Sequence, residues 1–231
     1  MLKAIILDFN GVIFDDEPLH FRAMRDAVAD FGVLLTREVY WDKYLPMDDA
    51  QGLEAICIDN HIQLSPSERE STLARKVKLY YELLQDRLPL FPGAAEFIKA
   101  AAERYPLALA SGARREEIEA VLDSAGLKRY FDVIVAAEDF AQGKPHPESF
   151  LLALNRLNAK IGSRPFPIKP EECLVIEDSV ASVRGARAAG MVCLAVSSSY
   201  PGAMLQSANR VVASLEEVQV AGLEELFGEL P

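Results

Sequence analysis

Short apolar runs, each closed by polar residues, recur along the chain. Ala4-Ile-Ile-Leu7 leads into Asp8, and Leu107-Ala-Leu-Ala110 into Ser111-Gly112. Val133-Ile-Val135 precedes Ala-Ala-Glu138, and Cys173-Leu-Val-Ile176 precedes Glu177-Asp178-Ser179. Runs that are apolar throughout, rather than alternating, predict strands covered on both faces. Helical stretches lie between them at Gly93–Glu103, Arg115–Ala125, Pro147–Asn158 and Ala181–Ala189, with Gly126 and Gly190 placed as helix-ending glycines. Strand–helix alternation of this kind predicts an α/β fold built on a doubly wound parallel sheet, whose ligands gather at the carboxyl ends of the strands. Asp8, Ser111, Lys144 and Asp178 all fall at or just after such ends.

The stretch from 16 to 87 breaks this pattern. Phe21, Met24, Ala27, Val28 and Phe31, then Leu73, Val77, Tyr80, Tyr81 and Leu84, recur at helical spacing, and no strand pattern intervenes. The expectation is an all-helical cap over 16–87 inserted into a main domain formed by 1–15 and 88–231. Leu90-Phe91-Pro92-Gly93 marks the return of the chain. Gly162–Pro170 carries three prolines in six residues, which excludes a helix and predicts a surface connection.

Composition narrows the setting. No stretch of the 231 residues approaches the ~18 consecutive apolar positions of a membrane-spanning helix. The run from Met1 to Asp8 is too short for a secretory signal. Cys57, Cys173 and Cys193 stand apart in apolar surroundings, as reduced thiols of a cytoplasmic protein do. A net charge of −11 argues against nucleic acid, which demands clustered Lys and Arg. A small anionic substrate needs only a locally positive site. A monomer or weak homodimer is expected.

Four segments carry chemistry. A carboxylate at Asp8 can attack phosphorus and divide one displacement into two, and Gly11 lets the chain turn away and leaves room beside the backbone. Glu177-Asp178 supplies acids from another strand end, and Asp8 with Asp178 would suit magnesium, a hard cation that takes carboxylates, water and phosphate oxygens. Lys144, between Gly143 and Pro145, can neutralise a transferring phosphoryl group. Ser111-Gly112 offers a hydroxyl and N–H groups ahead of a helix. Each segment has a plainer reading as a solvated strand end, turn or helix cap. Their ordered coincidence outweighs it.

In that order the segments resemble the haloacid dehalogenase superfamily. Asp8-Phe-Asn-Gly-Val12 is similar to its first motif, Ser111-Gly112 to its second, Lys144-Pro145 to its third, and Glu177-Asp178-Ser179 to its fourth. The resemblance spans nearly the whole chain and implies a Rossmann-like core with a helical cap after motif one. Asp15-Asp-Glu-Pro-Leu-His20 and Lys144-Pro-His-Pro-Glu148 look especially like the branch that holds β-phosphoglucomutase and sugar-phosphate phosphatases. By resemblance, Asp8 is the nucleophile and joins the Asn10 carbonyl and Asp178, with Glu177 beside it, at a magnesium ion. Ser111 and Gly112 hold phosphoryl oxygens, and Lys144 bridges phosphate and nucleophile.

One position departs. The family's phosphatases and mutases usually carry aspartate two residues after the nucleophile, as general acid and base, where this chain has Asn10. An amide cannot transfer the proton, a role worth about 10²–10⁴-fold in rate. Another group, such as Glu17 or His20, substitutes; or the residue is an engineered change; or the protein is a slow or silent binder. The cap is expected to choose the substrate, and its candidate cations are Arg22, Lys43, Arg75, Lys76 and Lys78, most of them on solvated faces. Acids in Leu45–Ala50 stand where mutases carry a phosphate-gripping arginine. The expected activity is therefore hydrolysis of a small phosphate monoester, with a phosphosugar mutase and a noncatalytic phosphoester-binding or regulatory protein as the alternatives.

Overall fold

The computed structural model describes residues 1–45, 47–84, 89–162 and 166–228. The expected cap boundary at 87/88 and the centre of the proline-rich connection, 163–165, lie outside the described residues, as does Pro46. The chain divides into two compact units, one formed by Met1–Asp15 with Pro89–Pro231 and the other by Asp16–Leu88. No helix among the described residues is long and apolar enough to cross a membrane.

The Asp16–Leu88 unit is helical, with no strand among its described residues. Its helices are α1 (Glu17–Val28), the short α2 (Arg37–Val39) running into a π-helical turn at Tyr40–Tyr44, α3 (Asp49–Asp59) and α4 (Pro66–Leu83). Local chemistry fixes their starts. Asp48 accepts the Gln51 N–H at the head of α3, and Ser65 and Glu68 form a capping box ahead of α4. Met24, Val28, Tyr40, Tyr44, Leu53, Ile56 and Cys57 form the unit's own core.

Helix α4 differs from its expected apolar stripe. It buries Thr72, Lys76 and Tyr80, four residues apart, while Val77 is 45% exposed. Lys76 is no solvated cation: its Nζ lies 2.7 Å from Asp49 Oδ1 and 2.5 Å from His20 Nδ1. A buried ammonium is tolerated because a carboxylate receives it. Lys43, Arg75 and Lys78 instead form exposed pairs with Asp59, Asp30 and Glu82.

The other unit is built on a six-stranded, wholly parallel sheet. Its strands are β1 (Ala4–Leu7), β2 (Leu107–Ala110), β3 (Val133–Val135), β4 (Cys173–Glu177), β5 (Val192–Val196) and β6 (Arg210–Val212). Their spatial order is β3-β2-β1-β4-β5-β6, so the winding reverses between β1 and β4. Helices α5 (Ala94–Ala102), α6 (Arg115–Ser124), α7 (Glu148–Ile161) and α8 (Val180–Ala188) connect the strands. β5 and β6 are additions to the four expected strands, and Glu177 belongs to β4 as its last residue.

Side-chain alternation assigns the two faces. Ala4, Ile6, Ala108, Ala110, Val133, Val135, Cys173, Val175, Cys193 and Ala195 form one core with Phe150, Ala153, Leu154 and Leu157 of α7 and Val183 and Ala186 of α8. Four of these strand residues, Ala4, Ala108, Ala110 and Ala195, are alanines. Ile168, in the expected surface connection, joins this core at 3% exposure. Asn158 holds it there by accepting the Ile168 N–H at 2.8 Å and donating to the Ile168 carbonyl at 2.9 Å. All three cysteines are buried free thiols.

Leu157 is fully buried in this core, so Leu157→Ala should lower unfolding free energy by about 2–5 kcal/mol. Val77→Ala, at an exposed site, should change it by less than about 0.5 kcal/mol. Urea denaturation checks both values, and equal losses would contradict the assigned core.

Candidate active site

The parallel sheet ends at its carboxyl edge in a row of candidate site residues. The Asp8 N–H donates to the Ile176 carbonyl at 3.0 Å, extending the β1–β4 ladder by one step. Leu7 faces Ile176 in that register, so Asp8 and Glu177 follow side by side. Both have the parity of Ile6 and Val175, on the α7 side of the sheet.

After Asp8 the chain coils tightly. The N–H groups of Val12, Ile13 and Phe14 all point to the Phe9 carbonyl, at 3.4, 2.8 and 3.0 Å. The Phe9 and Phe14 rings pack with centroids 5.4 Å apart. Asn10 and Phe14 bridge within this coil, and the Gly11 N–H reaches the Phe14 carbonyl at 3.1 Å. Gly11 has φ +76°, and a Cβ there would lie 1.9 Å from Asp178 Oδ2. Glycine is required both by the backbone and by the carboxylate against it.

Lys144 enters from the loop before α7. Its Nζ lies 2.9 Å from Asp8 Oδ2, 2.5 Å from Glu177 Oε1 and 5.1 Å from the Phe150 ring centroid. Glu148 shapes the loop by accepting the N–H groups of Ala141 and Gln142 at 3.1 and 2.9 Å. Gly185 of α8 leaves room on the other side, since a Cβ there would lie 3.2 Å from the Pro145 carbonyl oxygen.

Asp8, Glu177 and Asp178 are buried, with ligand atoms within 4.8 Å of one another. Burial, followed by the Asp8 charge, holds the Glu177 carboxyl well above the usual carboxylate range. The same two causes raise Asp178 to about 7, against the Ser199 hydroxyl that favours its charged form. Burial alone would lower the Lys144 ammonium, but Asp8 and Glu177 reverse that and hold it above the ordinary lysine value. Lys144 therefore stays charged, and one ammonium balances only one of three carboxylates. Asp8 Oδ1 is buried without a hydrogen-bond partner among the described residues. Both Glu177 oxygens are engaged, by Lys144 and by the Asp178 N–H at 3.2 Å. Three converging acids, whose repulsion favours a proton or a cation between them, and the unsatisfied Asp8 oxygen fit a hard divalent cation.

Ser111 follows β2, which pairs with β1, and is 2% exposed. Its Oγ accepts the Ala113 N–H at 3.1 Å across Gly112. Glu17, His20 and Lys76 belong to the other unit and are grouped there. Glu17 accepts from the Tyr40 hydroxyl at 2.8 Å, and burial raises its carboxyl pKa. His20 lies 3.2 Å from Asp16 through Nε2 and stacks on Tyr80 with centroids 4.4 Å apart.

Sequence reasoning missed two hydroxyls. Ser198 donates to the Gly11 carbonyl at 2.5 Å, and Ser199 donates to Asp178 Oδ2. Both follow β5. The signal was present in Met191–Val196, an apolar run after a helix-ending glycine that closes in Ser197-Ser-Ser199.

Known proteins resemble this chain over most of its length. The family model of haloacid dehalogenase-like hydrolases matches residues 2–190. A phosphorylated carbohydrates phosphatase of Thermotoga maritima is 32% identical over 194 residues, covering 82% of each chain. Hexitol phosphatase B of Escherichia coli is 31% identical over 230 residues, covering 97% of this chain and 94% of that one. The crystal structure of a candidate β-phosphoglucomutase from Thermotoga maritima superposes with a TM-score of 0.77 at 30% identity, over 97% and 99% of the two chains. The chain belongs to the haloacid dehalogenase-like hydrolase family.

The raised Asp178 carboxyl has a measurable consequence. In the folded chain it takes up its proton near pH 7, whereas unfolded it stays charged down to about pH 4. Folding thus binds a proton between those values, and metal-free protein should gain stability as pH falls from about 8 to about 5.5. Asp178→Asn should lose that part of the response. Thermal unfolding in chelator at both pH values checks it, and identical shifts in the two proteins would contradict it.

Proposed function

We propose that this enzyme is a phosphatase that hydrolyses a small phosphate monoester, a sugar phosphate or another short metabolite phosphate, with magnesium as cofactor and Asp8 as nucleophile. The observation that carries this reading is the buried group of Asp8, Glu177 and Asp178 around Lys144 at the switch point of the sheet. The names of the two phosphatase relatives support the substrate class.

An Asp8 oxygen attacks phosphorus, the bond to the alcohol oxygen breaks, and the alcohol leaves with a proton. Water then attacks the aspartyl-phosphate, releasing inorganic phosphate and restoring the carboxylate. Lys144 holds Asp8 and meets the transferring phosphoryl group with positive charge, while Ser111 and the Gly112 N–H receive its oxygens. Asp8, Asp178 and the Asn10 carbonyl would hold magnesium, which supplies further positive charge for the phosphoryl oxygens. Glu177, with both oxygens engaged, anchors Lys144. In the helical unit, Glu17, His20 and Lys76 are the candidates for substrate recognition or proton transfer.

Asn10 favours a second reading, a phosphoester binder with little turnover, because its amide cannot relay the proton in either half-reaction. Phosphate release from a panel of sugar monophosphates distinguishes the two. Wild type should turn over slowly, Asn10→Asp should be about 10²-fold faster or more, and Asp8→Asn or chelation should abolish the activity. Peptide mass spectrometry must first establish that Asn10, followed by Gly11, has not deamidated. Tight binding with no phosphate release from either wild type or Asn10→Asp would favour the binder. An isomeric sugar phosphate appearing in place of inorganic phosphate would identify a mutase. Equal rates for wild type and Asn10→Asp would assign proton transfer to another group, with Glu17 and His20 the next to replace.

A further inference from the structure

The loop after β5 is held at both ends. The Ser197 N–H donates to the Val212 carbonyl at 2.9 Å and its hydroxyl to the same oxygen at 3.3 Å, pinning the start of the loop to β6. β5 is the neighbour of β4, with Ala195 facing Glu177, so the following residues lie across the end of β4. There Ser198 donates to the Gly11 carbonyl at 2.5 Å and Ser199 to Asp178 Oδ2. The packing leaves no slack: a Cβ on Gly11 would lie 1.9 Å from Asp178 Oδ2 and 2.9 Å from Ser199 Oγ.

We infer that Ser199 is a positioning residue that fixes the Asp178 carboxylate for metal binding, and that Ser198 couples this support to the turn behind Asp8. The inference rests on the magnesium reading of the site. Among the described residues no cationic side chain forms an ion pair with Asp178, and Lys144 pairs with Asp8 and Glu177. The Ser199 hydroxyl donates to Asp178 Oδ2, so one carboxylate oxygen is held in place while the other stays open to a cation. It also fixes the rotation of the carboxylate about its Cβ–Cγ bond, so less side-chain freedom is lost when a cation binds. The hydroxyl acts through Asp178 and touches no reacting atom.

Magnesium chloride titrations by calorimetry on the full chain test this at neutral pH. Ser199→Ala should bind magnesium about tenfold more weakly than wild type, the usual scale for removing an outer partner of a ligand. Ser199→Thr, which keeps the hydroxyl, should bind within about twofold of wild type, and Ser199→Cys, similar in size but a weak donor, should follow Ser199→Ala. The midpoint of thermal unfolding at increasing magnesium gives a second readout, with a smaller upward shift for the Ala and Cys variants. If Asp178→Asn loses magnesium binding while Ser199→Ala and Ser199→Cys match wild type, Ser199 does not position Asp178. If Asp178→Asn itself binds as wild type does, the magnesium reading fails first.

Discussion

The site depends on the contact between the Lys144 ammonium and two buried carboxylates. Three acids converge where the sheet reverses its winding, with water largely excluded. Such a group is unfavourable by itself, since each charge loses its hydration and repels the others. Lys144 makes it tolerable by touching Asp8 and Glu177 together, with the Phe150 ring beside it. Asp178 lies outside this pairing, so its carboxyl is raised and its partner is a hydroxyl.

Much of the surrounding fold keeps that contact in place. The alternating parity of β1 and β4 sends Asp8 and Glu177 to the same face. Alanines of β1 and β2 share one core with α7, and Glu148 at the start of that helix organises the loop that carries Lys144. Gly185 leaves space for the Pro145 carbonyl, and Gly11 leaves space for Asp178. A larger residue at either glycine displaces a backbone or a carboxylate the charge group relies on.

The sheet and its charged row were legible in the sequence because both rest on local patterns. A fully apolar run that ends in a charged or hydroxyl residue reports a covered strand and its carboxyl end together. Four of the six strands were read this way. β5 carries the same pattern, an apolar run closed by Ser197-Ser-Ser199, and lies beyond the four segments that carry the motifs. Edge strand β6, three residues long, offers little periodicity. Lys76 and Val77 exchanged places for a different reason: helical spacing locates a face, but a lysine is buried only when distant Asp49 is there to receive it. Ile168 was hidden similarly, its burial secured by hydrogen bonds exchanged with Asn158 rather than by any local signal.

The β1–β4 pairing also governs when the site can exist. Leu7 lies beside Ile176, so β1 meets β4 only after most of the chain has been made. At the usual pace of translation, Asp8 waits on the order of ten seconds for Glu177 and Asp178 to be added. Contacts this distant in sequence also close slowly in a refolding chain. During that wait Asp8 has neither Glu177 nor Asp178 beside it. The three acids thus come together only late in the making of each new molecule, and the serines that brace them later still.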